Sequence, residues 1–308
     1  MNNQSTPYMS RDVDTAAILA RTEPVVYDQP GTPPPGAGEA LSAAQCERYR
    51  EHGYLLLPQL FAPEEVALLA EQSALLRARA EAGAPRAAVI AEPGSGALRS
   101  IFDVHRDDAL FARLVRDPRL LNAARAILGS EVYIHQSRIN YKPGFDGKEF
   151  FWHSDFETWH TEDGMPAMRA LSCSILLTDN DEHNGPLLLM PGSHRHFISC
   201  VGATPEQHYK QSLQRQQAGL PDPVLLRYLA DLGGIVSCTG KAGSVVLFDC
   251  NLMHGSNGNI TPYPRSNVFF VYNSVDNQLR APQGGQPPRP EHIAARRYTG
   301  PLRPAPLA

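Results

Sequence analysis

Residues 150–160 read FFWHSDFETWH, and the spacing of His153 and Asp155 within this stretch decides how the chain is interpreted. The apolar residues before His153 are typical of a short strand. On a strand, or at its extended end, residues two apart face the same side, so this imidazole and this carboxylate can reach one cation. An H-x-D pair alone is a weak pattern, because a metal site needs further ligands from elsewhere in the chain.

The third ligand is expected at His254, which follows a strand predicted at residues 244–249. Two histidines and one carboxylate on one face of an octahedron leave three adjacent positions open, as in non-haem Fe(II) oxygenases. A 2-oxo acid chelates through two of these positions and O₂ takes the third, whereas four tetrahedral protein ligands would leave no such vacancies. These three residues therefore predict a catalytic iron site.

Arg265 identifies the expected co-substrate. It follows His254 across a turn, at the start of the next predicted strand. Its guanidinium fork can hold the distal carboxylate of 2-oxoglutarate through two parallel hydrogen bonds, and the Ser256 hydroxyl can add a third. Together with the H-x-D pair and the distant histidine, Arg265 predicts a 2-oxoglutarate-dependent oxygenase.

The distribution of predicted elements indicates an α+β domain, a β-sandwich or barrel braced by N-terminal helices. A helix is expected from Ser42, where Ser42 and Gln45 form a capping box, to Gly53. Further helices are predicted from Pro63 to about Arg79 and near 107–115 and 118–128. Short strands bounded by turn residues are predicted at 54–57, 131–141, 169–178, 186–190, 244–249 and 267–274.

We predict one main domain over residues 39–290, preceded by a partly irregular arm at 1–38 and followed by a Pro-rich tail at 291–308. A helical insertion is expected at about 205–232, with helices at Glu206–Gln217 and Val224–Leu232. Because it interrupts the strands, this insertion is a candidate lid over the site.

Composition excludes several classes of protein. The net charge is −4 and the pI is near 6.3, so nucleic acid is not an expected partner. There is no apolar run of membrane-spanning length and no secretory pattern near the first residues. The five cysteines are scattered without a C-x-x-C pair, which favours free thiols, a reducing compartment and a cytoplasmic location.

Beyond the metal pattern, residues 151–172 read FWHSDFETWHTEDGMPAMRALS, which closely resembles the signature of ectoine hydroxylases in the phytanoyl-CoA dioxygenase-like superfamily. Further segments agree: QSRINYKPGFDGKEF at 136–150, GPLLLMPGSH at 185–194, FDCNLMHGSNGNITPYPRSN at 248–267 and FFVYNSV at 269–275. The resemblance extends over about residues 40–290, and its long central motif is highly specific.

The resemblance implies a double-stranded β-helix, or jelly-roll, core with flanking helices. It implies a cytoplasmic homodimer that hydroxylates ectoine to 5-hydroxyectoine in compatible-solute biosynthesis, consuming O₂ and converting 2-oxoglutarate to succinate and CO₂. By motif position, the iron falls on His153, Asp155 and His254; 2-oxoglutarate on Arg265, Ser256, Asn140 and Phe150; and ectoine on Gln136, Thr158, Trp159, Phe248 and Phe269. Aromatic faces and an amide suit this ligand, which is a cyclic amidinium bearing a carboxylate.

Two other functions remain open at this point. A related hydroxylase could act on another small cyclic amino acid such as proline. A jelly-roll protein could also bind a metal or a ligand without oxygenase turnover. The intact triad together with Arg265 argues against this second alternative, because a simple binding protein needs no vacant iron positions.

Overall fold

The computed structural model describes residues 7–27, 40–83, 86–213 and 218–307. The helices are α1 (Ala43–His52), α2 (Pro63–Ala82), α3 (Val104–Asp107), α4 (Ala109–Leu114), α5 (Pro118–Leu128), α6 (Asp155–Asp163), α7 (Tyr209–Ser212) and α8 (Pro223–Gly233). The strands are β1 (Ile18–Ala20), β2 (Tyr54–Leu57), β3 (Val89–Ala91), β4 (Leu98–Phe102), β5 (Val132–Lys142), β6 (Phe150–His153), β7 (Ala170–Leu176), β8 (Leu187–Leu189), β9 (His196–Ile198), β10 (Val236–Cys238), β11 (Val245–Asp249), β12 (His254–Ser256) and β13 (Arg265–Ser274). None of the described helices combines the length and apolar composition that crossing a membrane requires.

Two antiparallel sheets form the centre of the domain. The larger has the order β2-β11-β7-β13-β5-β4-β3, and the smaller has the order β10-β8-β12-β6. The long strands β5 and β13 pair along nearly their whole length, from Arg265 opposite Lys142 to Ser274 opposite Val132. The architecture is the predicted α+β jelly roll, with the N-terminal helices packed on the larger sheet.

The main core lies between the larger sheet and the N-terminal helices. Helix α5 illustrates why these helices form: Asp117 caps its first turn, Pro118 is its first residue, and Gly129 ends it in the left-handed conformation. Its apolar face is fully buried against the sheet, with Leu121 and Ile127 in the same cluster as Val268 of β13. A separate cluster inside the jelly roll contains Leu176, Leu187, Leu189, Val246, Phe248, Leu252 and Phe269.

A bulge in β5 determines which of its side chains face the interior. Gln136 pairs with Val271, but the next residue of β13, Tyr272, pairs with Ile134, so His135 is an extra residue. Since side chains alternate along a strand, the bulge lets Ile134 join the core beneath the helices while Gln136 faces the interior of the jelly roll. The remaining interior positions of this strand are therefore polar residues available to a site.

The described termini pack on the domain. Strand β1 pairs with β9, and Arg11 is fully buried. In the tail, the Leu302 amide donates to the Val132 carbonyl at 2.9 Å. The described residues after 285 contain no helix or strand. The division into arm, domain and tail stays a prediction.

Most predicted elements are confirmed, including the capping box of α1 and the proline start of α2. The prediction of a helix over Glu206–Gln217 is wrong where the structure describes it, because only Tyr209–Ser212 is helical. Gln207 has φ of 53°, a left-handed conformation that a right-handed helix excludes. Residues 214–217 of that prediction lie outside the described residues. The second predicted helix corresponds to α8.

Candidate active site

His153, Asp155 and His254 form one cluster of potential metal ligands. One ligand atom from each lies within 4.8 Å of the others. Asp155 Oδ1 is 3.7 Å from His153 Nε2, and Asp155 Oδ2 is 3.9 Å from His254 Nε2. The three residues are buried or nearly so, and they come from β6, the start of α6 and β12.

The local geometry differs from the strand expected around Asp155. Strand β6 ends at His153, and Asp155 is the first residue of α6. A strand-to-helix junction, rather than the alternation of one strand, thus turns the carboxylate toward the imidazole. The Phe156 amide fixes the junction by donating to the Cys250 carbonyl at 2.8 Å, and Ser154 Oγ donates to Asn251 Oδ1 at 2.9 Å.

The ring nitrogens that face away from the cluster are both held by backbone carbonyls. His153 Nδ1 lies 2.7 Å from the Phe151 carbonyl, and His254 Nδ1 lies 2.9 Å from the Leu252 carbonyl. A carbonyl can only accept, so each Nδ1 carries a proton and each Nε2 presents a lone pair to the centre. This is the tautomer that a metal requires.

The electrostatic environment lowers the pKa values of Asp155 and His254, which favours the binding of a cation. Burial alone raises the pKa of the Asp155 carboxyl, but His254, His153, Arg138 and a hydrogen bond from Ser172 Oγ at 3.2 Å outweigh it and lower the pKa. Burial, with His153 close by, lowers the pKa of His254 to about 4. An anionic carboxylate beside two imidazoles whose Nε2 atoms face the centre is the donor set of a divalent metal site.

A small cavity extends from the triad to Arg265. It is lined by Arg138, Asn140, Phe150, His153, Leu187, His254, Gly255, Ser256, Arg265 and Phe269. Burial lowers the pKa of Arg265 to about 10, and its Nε has no hydrogen-bond partner among the described residues. A buried and still cationic guanidinium with an unsatisfied donor fits the carboxylate of a ligand whose other end reaches the metal.

A larger cavity opens beside the triad. Among its lining residues are Gln136, Asn140, Phe150, Thr158 and Trp159, which the sequence predicts to bind ligands, together with Arg99, Ser100, Phe102, Arg138, Glu149, Phe151, His153, Asp155, His208, Leu213 and Arg289. Asn140 and Phe150 line both cavities. The predicted site residues therefore line two adjacent cavities, with one exception.

Phe248 is the exception. It is fully buried and is not among the lining residues of either cavity. Its ring centroid lies 5.0 Å from that of His254, so it packs behind this ligand. Phe269, by contrast, lines the smaller cavity, where the Arg138 guanidinium carbon lies 4.8 Å from its ring centroid. The expected contact of Phe248 with the substrate stays a prediction.

Several charged residues of the site are not identified by the sequence motifs. Arg138 lies between Gln136 and Asn140 on the inward face of β5, so strand alternation could have identified it. Lys142 continues the same face, and its Nζ donates to Ser256 Oγ at 2.7 Å. Burial, followed by the charges of Arg265 and Arg99, lowers the Lys142 pKa to about 6. His208 and Arg289 come from irregular segments that carry no recognisable pattern.

Comparison with known proteins agrees with this geometry. A family model described as phytanoyl-CoA dioxygenase matches residues 49–267. An ectoine dioxygenase of Bordetella bronchiseptica is 62% identical over 302 residues, covering 97% of this chain and 95% of that protein. A crystal structure of EctD from S. alaskensis with 2-oxoglutarate and 5-hydroxyectoine matches with a TM-score of 0.87 at 46% identity, covering 98% of this chain and 100% of that one. A structure of EctD from S. alaskensis with bound Fe matches with a TM-score of 0.85 at the same identity, covering 98% and 99%.

Proposed function

This chain belongs to the phytanoyl-CoA dioxygenase family, and from this membership and its ectoine dioxygenase relatives we propose its reaction. It hydroxylates ectoine to 5-hydroxyectoine, with O₂ consumed and 2-oxoglutarate converted to succinate and CO₂. The observation that carries the proposal is the His153–Asp155–His254 cluster beside a cavity that the buried Arg265 also lines. Fe(II) with 2-oxoglutarate supplies the oxidant that replaces a ring C–H bond by C–OH.

The smaller cavity is proposed to bind 2-oxoglutarate. Arg265 and Ser256 hold the distal carboxylate, while Asn140 and Phe150 form the wall along the ligand. Lys142 donates to Ser256 Oγ at 2.7 Å, which leaves the Ser256 hydroxyl proton free to point at the carboxylate. Since Arg265 and His254 both line this space, the ligand can be held at its carboxylate and at the metal at the same time, which fixes its orientation before any chemistry occurs.

The larger cavity is proposed to bind ectoine. Trp159 lines this cavity and offers an aromatic face to the delocalised cation of ectoine. Phe269, which lines the adjoining smaller cavity, is proposed as a second aromatic contact. Gln136 is held rigidly, because its Nε2 donates to the Ile293 carbonyl at 2.8 Å and its oxygen accepts from Arg138. A substrate contact with Gln136 therefore uses the second lone pair of that oxygen. Thr158 Oγ1 accepts from Arg11 Nη2 at 3.2 Å, which orients the hydroxyl at the cavity wall.

The protein surroundings position the substrate and exclude water. Phe248 behind His254 and the apolar interior of the jelly roll shield the metal ligands from solvent on the side away from the cavities. Ser172 and the carbonyls of Phe151 and Leu252 hold the three ligands at fixed orientations. Exclusion of water protects the reactive oxidant from side reactions until the substrate carbon is attacked.

The finer biological setting is also a proposal. We propose a cytoplasmic homodimer that makes a compatible solute under osmotic or thermal stress. The buried thiols of Cys173, Cys200, Cys238 and Cys250, none of them in a disulfide, support a reducing compartment. Light scattering coupled to size exclusion tests the oligomeric state, and a monomer at micromolar concentration would contradict the dimer.

Mass spectrometry of ectoine incubated with the enzyme, Fe(II), 2-oxoglutarate and O₂ tests the reaction. The expected product is ectoine with one added oxygen atom, formed in equal amount with succinate. A panel of small cyclic amino acids that includes proline tests the alternative of a related hydroxylase. A compound that is hydroxylated more efficiently than ectoine would then be the proposed substrate. Absence of turnover by the iron-loaded protein with every substrate would favour a binding protein instead.

A further inference from the structure

His208 is a buried histidine that the proposed reaction has not used. It is 3% exposed and lines the larger cavity as well as a neighbouring outer cavity, where Arg289 is the one other residue shared by both linings. Its Nδ1 lies 3.0 Å from Glu162 Oε1 of α6. Its Nε2 is buried and has no hydrogen-bond partner among the described residues.

The orientation of the His208 ring is fixed by its surroundings. The Glu162 carboxylate accepts hydrogen bonds from both Arg11 and His208, so it can be ionised and Nδ1 carries the proton. Arg11 also binds Glu157 through Nη2 at 2.8 Å and is 1% exposed, which anchors this carboxylate pair in the interior. The ring cannot rotate without breaking a charged, buried hydrogen bond.

The chain around His208 forms the outer wall of the larger cavity. Besides His208, this wall is attached at two points: Arg11 Nη1 donates to Thr204 Oγ1 at 3.1 Å, and Arg99 Nε donates to the Leu213 carbonyl at 3.2 Å. Arg99 and Leu213 themselves line the cavity. The wall is therefore held in place at both ends, and the His208 ring lies between these attachments.

An unsatisfied nitrogen at such a position costs free energy unless a ligand or water completes its hydrogen bonding. We propose that His208 is a substrate-binding residue, whose Nε2 forms a hydrogen bond with ectoine bound in the larger cavity. In the neutral ring Nε2 accepts from an N–H of the substrate, and in the imidazolium it donates to the carboxylate. The inference rests on the proposed function, since ectoine is the ligand.

Three variants test this role. His208→Asn retains an amide that can reach Glu162 but places no atom at the Nε2 position. His208→Gln places an amide, which is both donor and acceptor, near that position. Lys210→Ala, an exposed change in the same segment that lines neither cavity, is the matched control. Each is assayed as iron-loaded enzyme for kcat and for the KM values of ectoine and the co-substrate, with Tm as a check of folding.

We expect His208→Asn to raise the KM for ectoine about tenfold, the effect of one hydrogen bond, with kcat and the KM for the co-substrate within about twofold. His208→Gln should recover part of the loss, and Lys210→Ala should match the wild type. An unchanged KM for ectoine in a folded His208→Asn enzyme overturns the inference, as does an equal rise in both KM values. Wild-type enzyme that does not hydroxylate ectoine overturns the proposed function instead.

A second measurement uses the wild-type enzyme and so tests the inference even if the variants fold poorly. In the wild-type enzyme loaded with iron and 2-oxoglutarate, amide hydrogen exchange of residues 204–213 is compared with and without ectoine. We expect slower exchange when ectoine is bound, because the ligand ties the His208 ring to the cavity. Unchanged exchange in this segment at saturating ectoine contradicts the contact.

Discussion

His153 and His254 are direct cross-strand partners in the ladder between β6 and β12, and their ring centroids lie 4.2 Å apart. Two ligands that are distant in the sequence are thus held by one antiparallel pair of strands. The third, Asp155, follows from the same strand as His153 through a short turn into α6. The spacing of the two histidines is therefore set by the backbone pairing.

Asp155→Asn should abolish iron binding and turnover together, because it keeps the side-chain shape and removes the anionic donor. We expect at least about a 100-fold loss of activity, with iron content measured by elemental analysis. Ser172→Ala, which removes only the hydrogen bond to Asp155 Oδ2, is a graded control expected to weaken iron binding about tenfold. Full turnover in Asp155→Asn would refute its role as a ligand.

Arg265→Gln should raise the KM for 2-oxoglutarate by about 10- to 100-fold, because it removes the charged pair of hydrogen bonds to the distal carboxylate. Ectoine affinity, measured by calorimetry with 2-oxoglutarate at saturation, should stay near the wild-type value because Arg265 does not line the larger cavity. A matched loss of affinity for both ligands would indicate general collapse of the site.

Phe248→Leu separates two possible roles for this ring. Because Phe248 packs behind His254 and outside both cavities, we expect weaker iron binding and a destabilisation of about 1–2 kcal/mol, with the KM for ectoine unchanged. Iron titration and steady-state kinetics give the two quantities. A raised KM for ectoine with normal iron affinity would instead support the substrate contact predicted from the motif.

Arg11→Met should strongly destabilise the fold, since it leaves Glu157 buried without its cation and removes one of the partners of Glu162. Breaking a buried pair from one side costs about 3–5 kcal/mol, measurable as a lower urea midpoint. Arg77→Met, which removes the exposed pair with Glu81, is the control, with an expected change under about 1 kcal/mol. Equal effects of the two substitutions would show that the burial of Arg11 contributes little.

Low pH should destabilise the fold through the buried carboxylates of Glu162 and Asp163. Burial raises the pKa of Glu162, but His208, Arg289 and Arg11 outweigh it and lower the pKa to about 2. Burial also raises the pKa of Asp163, and there Arg289 and His135 outweigh it and lower the pKa to about 2. Because both values lie below those of free carboxyls, their stabilisation is complete above about pH 4.5 and is lost as the pH falls toward 2. Urea midpoints from pH 6 to 3 should fall less steeply in Glu162→Gln than in the wild type; parallel curves would disprove this.

The site is predictable where its residues share a local pattern. The H-x-D pair, His254 and Arg265 each lie in a recognisable strand or turn, and the structure brings them together. Arg138 is not predicted although it shares a strand face with Gln136, because an arginine in a strand is usually assumed to point to solvent.

Other features depend on tertiary contacts that no local pattern encodes. A helix begins at Asp155, where the sequence predicts the extended end of a strand. Residues 155–163 are buried on nearly every side, so they lack the one-sided apolar pattern by which a surface helix is recognised, and tertiary packing stabilises the helix instead. His208 and Arg289 reach the cavity from irregular segments, so their positions follow from how those segments fold over the jelly roll. The bulge at His135 likewise depends on its pairing with β13.

The two ends of the larger cavity are built from different kinds of structure. Paired strands and the start of α6 supply the iron ligands, whereas residues 204–213 and 283–290 supply its outer wall and the neighbouring outer cavity. Neither segment contains a strand, so substitutions in them alter no ladder hydrogen bond, and connecting segments of this kind tolerate sequence change. Substrate specificity can therefore change in evolution while the iron ligands and the oxidation chemistry are retained. Directed evolution of new specificities should begin in these two segments.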